Sequence, residues 1–368
     1  MNISRILVTL LTGLCLVLPS SFLQAVELEG FYRAMVRVDS RADGRERQQA
    51  FSAAMSQVVI KVSGRTEAVN AGQIRRALNN PERYVESWVY RTVQPSNANT
   101  NLPATELIEL EVNFFESEIQ GLLDASNISL WPNNRPNTVV WLVMQEELGE
   151  RLGLGSGSNI EAVAVNQINS MAELRGLPVL FPLMDFQDQQ ALSPNNIWDF
   201  NEQALLRASA RYQTESILAI RLYQSLSGEL LASSRYFFRG LTLTHQSFED
   251  ELAGFVETSI NMAAEELSAY YSVLVSGANS SMIVKMNIEG IDTAQNYAGL
   301  INYINELAAV NAYQIASIDD QKVVLNLETG GQLRQVVETI ALDRNLEPVS
   351  ELRRNEDGIF LYYRWTGQ

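Results

Sequence analysis

The stretch from Asp43 to Arg65, DGRERQQAFSAAMSQVVIKVSGR, most restricts what this chain can fold into. Phe51, Met55, Val58, Val59 and Val62 recur at helical spacing and make one apolar face. Asp43 with Glu46 three residues on reads as a capping box, in which two side chains satisfy orphan backbone N–H groups. Gly64 stands where a helix closes on a left-handed residue, a conformation glycine takes without strain. The opposing signal is Val58-Val59-Ile60-Lys61-Val62, a β-branched run that also suits a strand. The spacing predicts a helix that packs on a sheet and organises a first domain. It names no chemistry.

The segment Met1 to Ala25 reads as a secretory signal peptide. Arg5 supplies the positive start, Ile6 to Leu18 a short apolar run, and Leu23-Gln24-Ala25 a cleavage site ending on a small residue. The apolar run falls short of the ~20 residues a membrane span needs, so cleavage near Ala25 is favoured over a retained anchor. Cys15 lies inside that run behind the bulky Leu14, which argues against a lipoprotein. It is the only cysteine, so the expected mature chain has none and must be held by core burial without a disulfide. Periplasmic location follows as an expectation, with no transmembrane span after the signal is removed.

The formal net charge of −16 sets the choice of partners. An acidic surface repels nucleic acid phosphates and anionic lipid, so no nucleic acid partner is expected. Some 340 residues remain after Ala25, enough for two or three domains on ordinary domain sizes, roughly 100–150 residues each. The expected class is α/β and α+β. A small α+β domain spans 26–131, and a layered α/β domain with a mixed sheet spans 138–275. A ferredoxin-like split βαβ module spans 281–368. Strands are expected over Phe31 to Val38, Val85 to Val93 and Thr138 to Met144. Leu177 to Met184 reads as a further buried strand, and Ser233 to Arg239 with Leu241 to Ser247 as a hairpin about Gly240. Asn70 with Gln73, and Asp292 with Gln295, read as helix caps. Pro95 to Pro103 reads as a loop, Ser276 to Ser280 as a linker and Gly330-Gly331 as a break.

Several stretches carry a resemblance. They are VVIKVSGR (Val58 to Arg65), YVESWVYR (Tyr84 to Arg91), WPNNRPNTVVWL (Trp131 to Leu142), RGLPVLFPLMDFQD (Arg175 to Asp188) and IWDFNEQALLRASARYQTESILAIRL (Ile197 to Leu222). Together they resemble domain-of-unknown-function family 2066, exported proteins of Gram-negative bacteria, over roughly Val26 to Tyr271. The resemblance implies export and no established activity, so no residue role is carried over.

Candidate chemistry is sparse. His245 is the only histidine, and no G-x-S-x-G elbow accompanies it, so a Ser/His/Asp triad has no visible members. One histidine and no mature cysteine leave nothing for an imidazole or thiolate metal site, and no metal or cofactor is expected. Gly153, Gly155 and Gly157 in GLGSGS follow a strand and precede a helix, but match no phosphate-loop pattern; a surface loop is favoured. Asp185 and Asp188 follow a strand, where α/β sheets place ligands. They read as solvated caps, as the acid–base pair of a carboxylate-dependent hydrolase, or as calcium ligands, for which two carboxylates fall short of the roughly six to eight oxygens that ion takes. Arg65, Arg135 and Arg175 each stand beside Gly or Pro, as loop ties or as binders of phosphate or carboxylate. The favoured reading is an exported, non-enzymatic interaction or assembly module of the cell envelope whose partner is another envelope protein.

The export reading has a direct check. Amino-terminal sequencing of the mature protein is expected to begin at Val26; a chain that keeps Met1 and sediments with the inner membrane rejects it.

Overall fold

The computed structural model describes residues 30–93, 107–146, 149–227, 229–247, 251–274, 282–319, 321–329, 333–343, 345–355 and 358–367. The signal segment Met1 to Ala25, the loop Pro95 to Pro103, the linker Ser276 to Ser280 and the Gly330-Gly331 break lie outside them. The chain is a mixed α/β structure built on three sheets, as its patterning predicts.

The first sheet takes β1 (Arg33–Val38), β2 (Val85–Val93) and β3 (Leu107–Phe114), all antiparallel in the order β1-β3-β2. Helices α1 (Gly44–Ser63), α2 (Gly72–Leu78) and α3 (Glu116–Ala125) complete this layer. The β-branched run of α1 is helical because Val58, Val59 and Val62 are buried against the sheet, and burial outweighs the small propensity loss. Asp43 caps α1 through the N–H groups of Arg45 and Glu46. Glu46 does not close the box on Asp43; its carboxylate accepts from the Asp39 and Ser40 N–H groups instead. Asn70 does not cap α2. Ala71 holds that position, and the Gln73 side chain bonds the Ala125 carbonyl at 2.6 Å.

The second sheet is larger. Its strands are β4 (Thr138–Glu146), β5 (Arg151–Gly153), β6 (Val179–Leu180), β7 (Ser216–Gln224), β8 (Leu230–Phe238) and β9 (Leu241–Ser247). The order is β5-β4-β7-β8-β9, with β6 beside the start of β4; β4 runs parallel to β6 and β7, and the other pairs are antiparallel. Two helices, α4 (Asn159–Arg175) and α8 (Leu252–Tyr271), share one apolar cluster with Val140, Leu142, Leu218 and Ile220. On the other face, α6 (Pro194–Trp198) and α7 (Glu202–Ser209), with Leu192 just after α5 (Phe186–Ala191), cover Val139, Trp141, Ile217 and Ala219. Alternate residues of β4 and β7 thus feed two cores, which explains their continuous apolar runs. The expected strand Leu177 to Met184 shrinks to the two residues of β6. Pro178 and Pro182 remove ladder donors, and Met184 turns to φ +53°.

The third sheet uses β10 (Met282–Glu289), β11 (Val310–Asp319), β12 (Lys322–Thr329), β13 (Leu346–Asn355) and β14 (Gly358–Trp365), with α9 (Ala294–Glu306) and α10 (Leu333–Asp343). The order β11-β12-β10-β14-β13 keeps the split βαβ plan with one change. The last strand β14 takes the place beside β10 and runs parallel to it, leaving β13 at the edge. Helix α9 is capped by Thr293 through the Asn296 N–H rather than by Asp292. No helix among the described residues is long and apolar enough to cross a membrane.

Main-chain contacts join the layers. The Trp131 N–H bonds the Val62 carbonyl, and Leu130 pairs with Val273 just beyond α8. Gly64 closes α1 at φ +69°, and a Cβ there would stand 2.1 Å from the Ser268 Cβ and 2.7 Å from the Trp131 ring. Gly64→Ala is therefore expected to cost more than about 3 kcal/mol, left-handed strain and a clash acting together. Gly72→Ala meets open space at the start of α2 and is expected to stay within about 1 kcal/mol of wild type. Urea unfolding midpoints of the two variants check the contrast.

Candidate functional site

Asp185 and Asp188 come together at the turn between β6 and α5, on the face covered by α5 to α7. Asp185 caps α5 by accepting the Asp188 N–H at 3.0 Å. Its two oxygens also take a bidentate fork from Arg211, at 2.8 Å from Nη1 and 3.0 Å from Nη2. Asp188 is fully buried. One of its oxygens accepts Arg211 Nη1 at 2.9 Å; the other accepts the Met184 N–H at 3.0 Å and the Tyr212 hydroxyl at 2.5 Å. The Tyr212 oxygen in turn accepts the Leu183 N–H at 3.0 Å. Both carboxylates are engaged within the protein itself. Hydrogen bonds from Arg211, then the Asp188 N–H, hold the Asp185 carboxyl at about 2, below its ordinary 3.8. Burial, then the Asp188 bond, push the Tyr212 phenol up to about 12.

The same network fixes what the turn displays. Met184 holds a left-handed φ of +53°, which a bulky residue keeps only when its surroundings over-determine it. The Met184 N–H goes to Asp188 and its carbonyl accepts the Gln189 amide at 2.8 Å. On either side, Leu183 is 74% exposed and Phe186 77% exposed. Sequence reading finds the acids and misses these two apolar residues, because Leu177 to Met184 passes for a strand.

The remaining candidates are scattered. His245 lies on the opposite face of the sheet: it pairs with Ser234, whose hydroxyl meets Ser259 of α8, and stacks on Phe255 at 5.4 Å. Its Nε2 is buried without a partner. The sheet stands between His245 and the two acids. In the glycine loop, the Gly155 and Gly157 N–H groups and the Ser156 hydroxyl all donate to Glu161 of α4, at 2.6, 3.0 and 2.6 Å. The loop's anion-facing donors are thus filled by the chain's own carboxylate. Burial raises the Glu161 pKa, but these bonds outweigh it and leave the group below its usual range.

Arg135 and Arg175 are loop ties. Arg135 is buried and donates to the carbonyls of Lys61, Trp131, Pro132, Arg175 and Gly176 at 2.7–3.4 Å. Arg175 donates to the Gly64 carbonyl at 2.8 Å. Arg65 is exposed, and its carbonyl accepts the Ala68 N–H. Away from all of these, a groove of ≈ 480 Å³ lies between α2 and α3, lined by Gln73, Arg76, Arg83, Ser117 and Gly121 among others.

Sequence reading also misses a row of arginines on the α5–α7 face. Arg151 of β5 lies 4.6 Å from the Trp198 ring centre, and Arg221 of β7 lies 5.6 Å from the same ring. Arg221 and Arg235 of β8 each lie 4.9 Å from the Phe200 ring. The signal was present: Arg221 is the one charge in SILAIRLYQ, an otherwise apolar strand with polar ends.

The family match covers the opening part of the chain. Residues 25–132 match the family described as Domain of unknown function (DUF8605). This corrects the resemblance to family 2066: the matching family is a different one, and the Arg175 to Asp188 and Ile197 to Leu222 stretches lie beyond its span. No curated protein matches the chain. Among solved structures, a competence-damaged protein (CinA) superfamily protein from Enterobacter cloacae aligns at 13% identity and a TM-score of 0.22. It covers 37% of this chain and 82% of that one. A competence or damage-inducible protein from Enterobacter asburiae aligns at 14% and 0.21, covering 37% and 87%. At such TM-scores neither carries weight on fold or function.

The Asp185 pKa gives a pH test. A carboxylate depressed in the folded state adds stability that is complete above its unfolded value near 3.8 and lost as pH falls through about 2. Asp185→Asn removes that contribution. The stability gap between wild type and variant, measured by urea unfolding at stepped pH, is expected to close between pH 4 and pH 2.

Proposed function

We propose that this protein acts in the cell envelope as a non-enzymatic binding module, with the turn around Leu183 and Phe186 as its contact. The observation that carries the reading is the state of the two acids. Asp185 and Asp188 spend their oxygens on Arg211, Tyr212 and backbone N–H groups, and so act as the frame of a rigid turn. Large apolar side chains at 74% and 77% exposure are costly in water, and a pre-ordered turn lowers the ordering cost of burying them on a partner. A few such anchors dominate most protein interfaces. The partner of this chemistry is another envelope protein that offers an apolar cleft. The envelope assignment itself rests on the signal-like Met1 to Ala25.

The second reading, a carboxylate-dependent hydrolase at Asp185 and Asp188, needs one acid with a pKa near neutral and a carboxylate free to meet water. An Asp185 held at about 2 by a bidentate arginine suits neither role. Complementation of a deletion strain separates the two. The binding reading expects Leu183→Ser with Phe186→Ser to abolish function in a chain that melts normally, and His245→Ala to leave function intact. It also expects Asp185→Asn to reduce function at most partly, since Asn still caps a helix. Full loss in Asp185→Asn together with full activity in the Leu183/Phe186 double variant supports the hydrolase.

A further inference from the structure

Among the described residues, the arginine row on the α5–α7 face has one acid paired with it. Its order is Arg151, Trp198, Arg221, Phe200, Arg235, drawn from three strands, the last residue of α6 and the segment that follows it. A ring against the face of a guanidinium leaves the N–H edges open to acceptors in its plane. Some of these edges are used. Arg151 donates Nε to Gln145 at 3.2 Å and Nη1 to Asn195 at 2.9 Å, and Arg221 donates Nη1 to the Trp198 carbonyl at 2.9 Å. Arg235 is different: its Nε is closed off from water with no acceptor. Among the described residues, the acid paired with the row is Asp199, 4.0 Å from Arg151 and with a side chain 68% exposed.

Like charges held together this way oppose folding. Burial, then Arg235, press the Arg221 guanidinium down, and Asp199 only partly offsets them. The chain carries a net charge of −16, yet little of that negative charge is spent here. The backbone adds to the arrangement, since Phe200 takes a left-handed φ of +51° beneath two arginines. The row runs from the carboxyl end of β4, where Arg151 is in register with Gln145, to the middle of β7, where Arg235 is in register with Ala219.

We propose that Arg151, Arg221 and Arg235, interleaved with Trp198 and Phe200, form a binding site for a phosphate monoester. A carboxylate offers two oxygens, enough for one guanidinium fork. A phosphate monoester offers three and two charges, enough to be shared by Arg221 and Arg235 with Arg151 beside them. Trp198, half-buried, lies between Arg151 and Arg221 in the row. The overall acidity does not forbid this, because charges more than about 8 Å away are largely screened at physiological salt. The site is separate from the Leu183–Phe186 contact and does not depend on it.

Two probes distinguish the sources of such a group: glycerol 3-phosphate as a soluble ester, and vesicles of phosphatidic acid in phosphatidylcholine as a headgroup. Calorimetric titration of the full chain is expected to show saturable binding to glycerol 3-phosphate, weakened about tenfold to a hundredfold in Arg235→Gln. Arg235→Lys, which keeps the charge and loses the fork, is expected to fall between. If only the phosphatidic acid vesicles bind, and Arg235→Gln abolishes that binding, the monoester site stands and its source is a lipid. Thermal melts establish that each variant folds, and Arg151→Gln replaces Arg235→Gln if the latter does not. Leu183→Ser with Phe186→Ser leaves binding unchanged, which keeps this test apart from the one above. Absence of binding to both probes, or binding that the folded arginine variants do not weaken, overturns the proposal.

Discussion

The guanidinium of Arg135 is the contact on which the joined layers depend. It is buried and, among the described residues, pairs with no carboxylate; its N–H groups go to five main-chain carbonyls. Three of these, on Lys61, Arg175 and Gly176, belong to the closing turns of α1 and α4. Helix ends leave carbonyls unsatisfied and carry partial negative charge, so the two ends together supply the counter-charge. Burial presses the Arg135 pKa well down, yet guanidinium keeps its proton in proteins. The rings of Phe31 and Trp131, at 4.3 and 3.8 Å, cover its faces. Glycine is required beside it: a Cβ on Gly176 would stand 2.5 Å from Arg135 Nη1. One side chain thus ties the first sheet's helix, the connecting segment and the second sheet's helix into one joint.

The other arginines show how the same side chain serves different ends. Arg211 is balanced: two aspartates meet it, and the result is a stiff turn that holds Leu183 and Phe186 outward. Arg239 is likewise matched, by Glu215 and by Glu338 of α10, which links the second and third sheets. Arg221 and Arg235 lie over the Phe200 ring, and neither has an ion pair among the described residues. Arg135 shows that main-chain carbonyls can take the place of an acid, and among the described residues the Arg235 Nε has neither.

The second sheet separates these roles by face. The α4 and α8 side is packed, and it takes His245 and the glycine loop into ordinary contacts with Phe255 and Glu161. The α5–α7 side is built from short helices and tight turns, which leave side chains exposed at their junctions. Both the Leu183–Phe186 turn and the arginine row lie on this side. Period-two alternation along β4 and β7 makes the division, since neighbouring residues of one strand serve opposite layers.

Much of this was legible in the chain alone. The apolar spacing of Phe51 to Val62 and the glycine after it set α1 and its end, because helix period and left-handed closure are local properties. The continuous run Thr138 to Met144 marked a strand buried on both sides, because an unbroken apolar run is also a local property. Local signals failed where two candidates competed. Thr293 and Asp292 both suit a cap, and only the folded turn chose Thr293. Prolines at 178 and 182 turned an apolar run from a strand into the turn that presents Leu183. The meaning of Asp185 and Asp188 was not local at all. It depends on Arg211 and Tyr212, more than twenty residues away, and hydrogen bonds across that separation exist only once the sheet has brought the segments together.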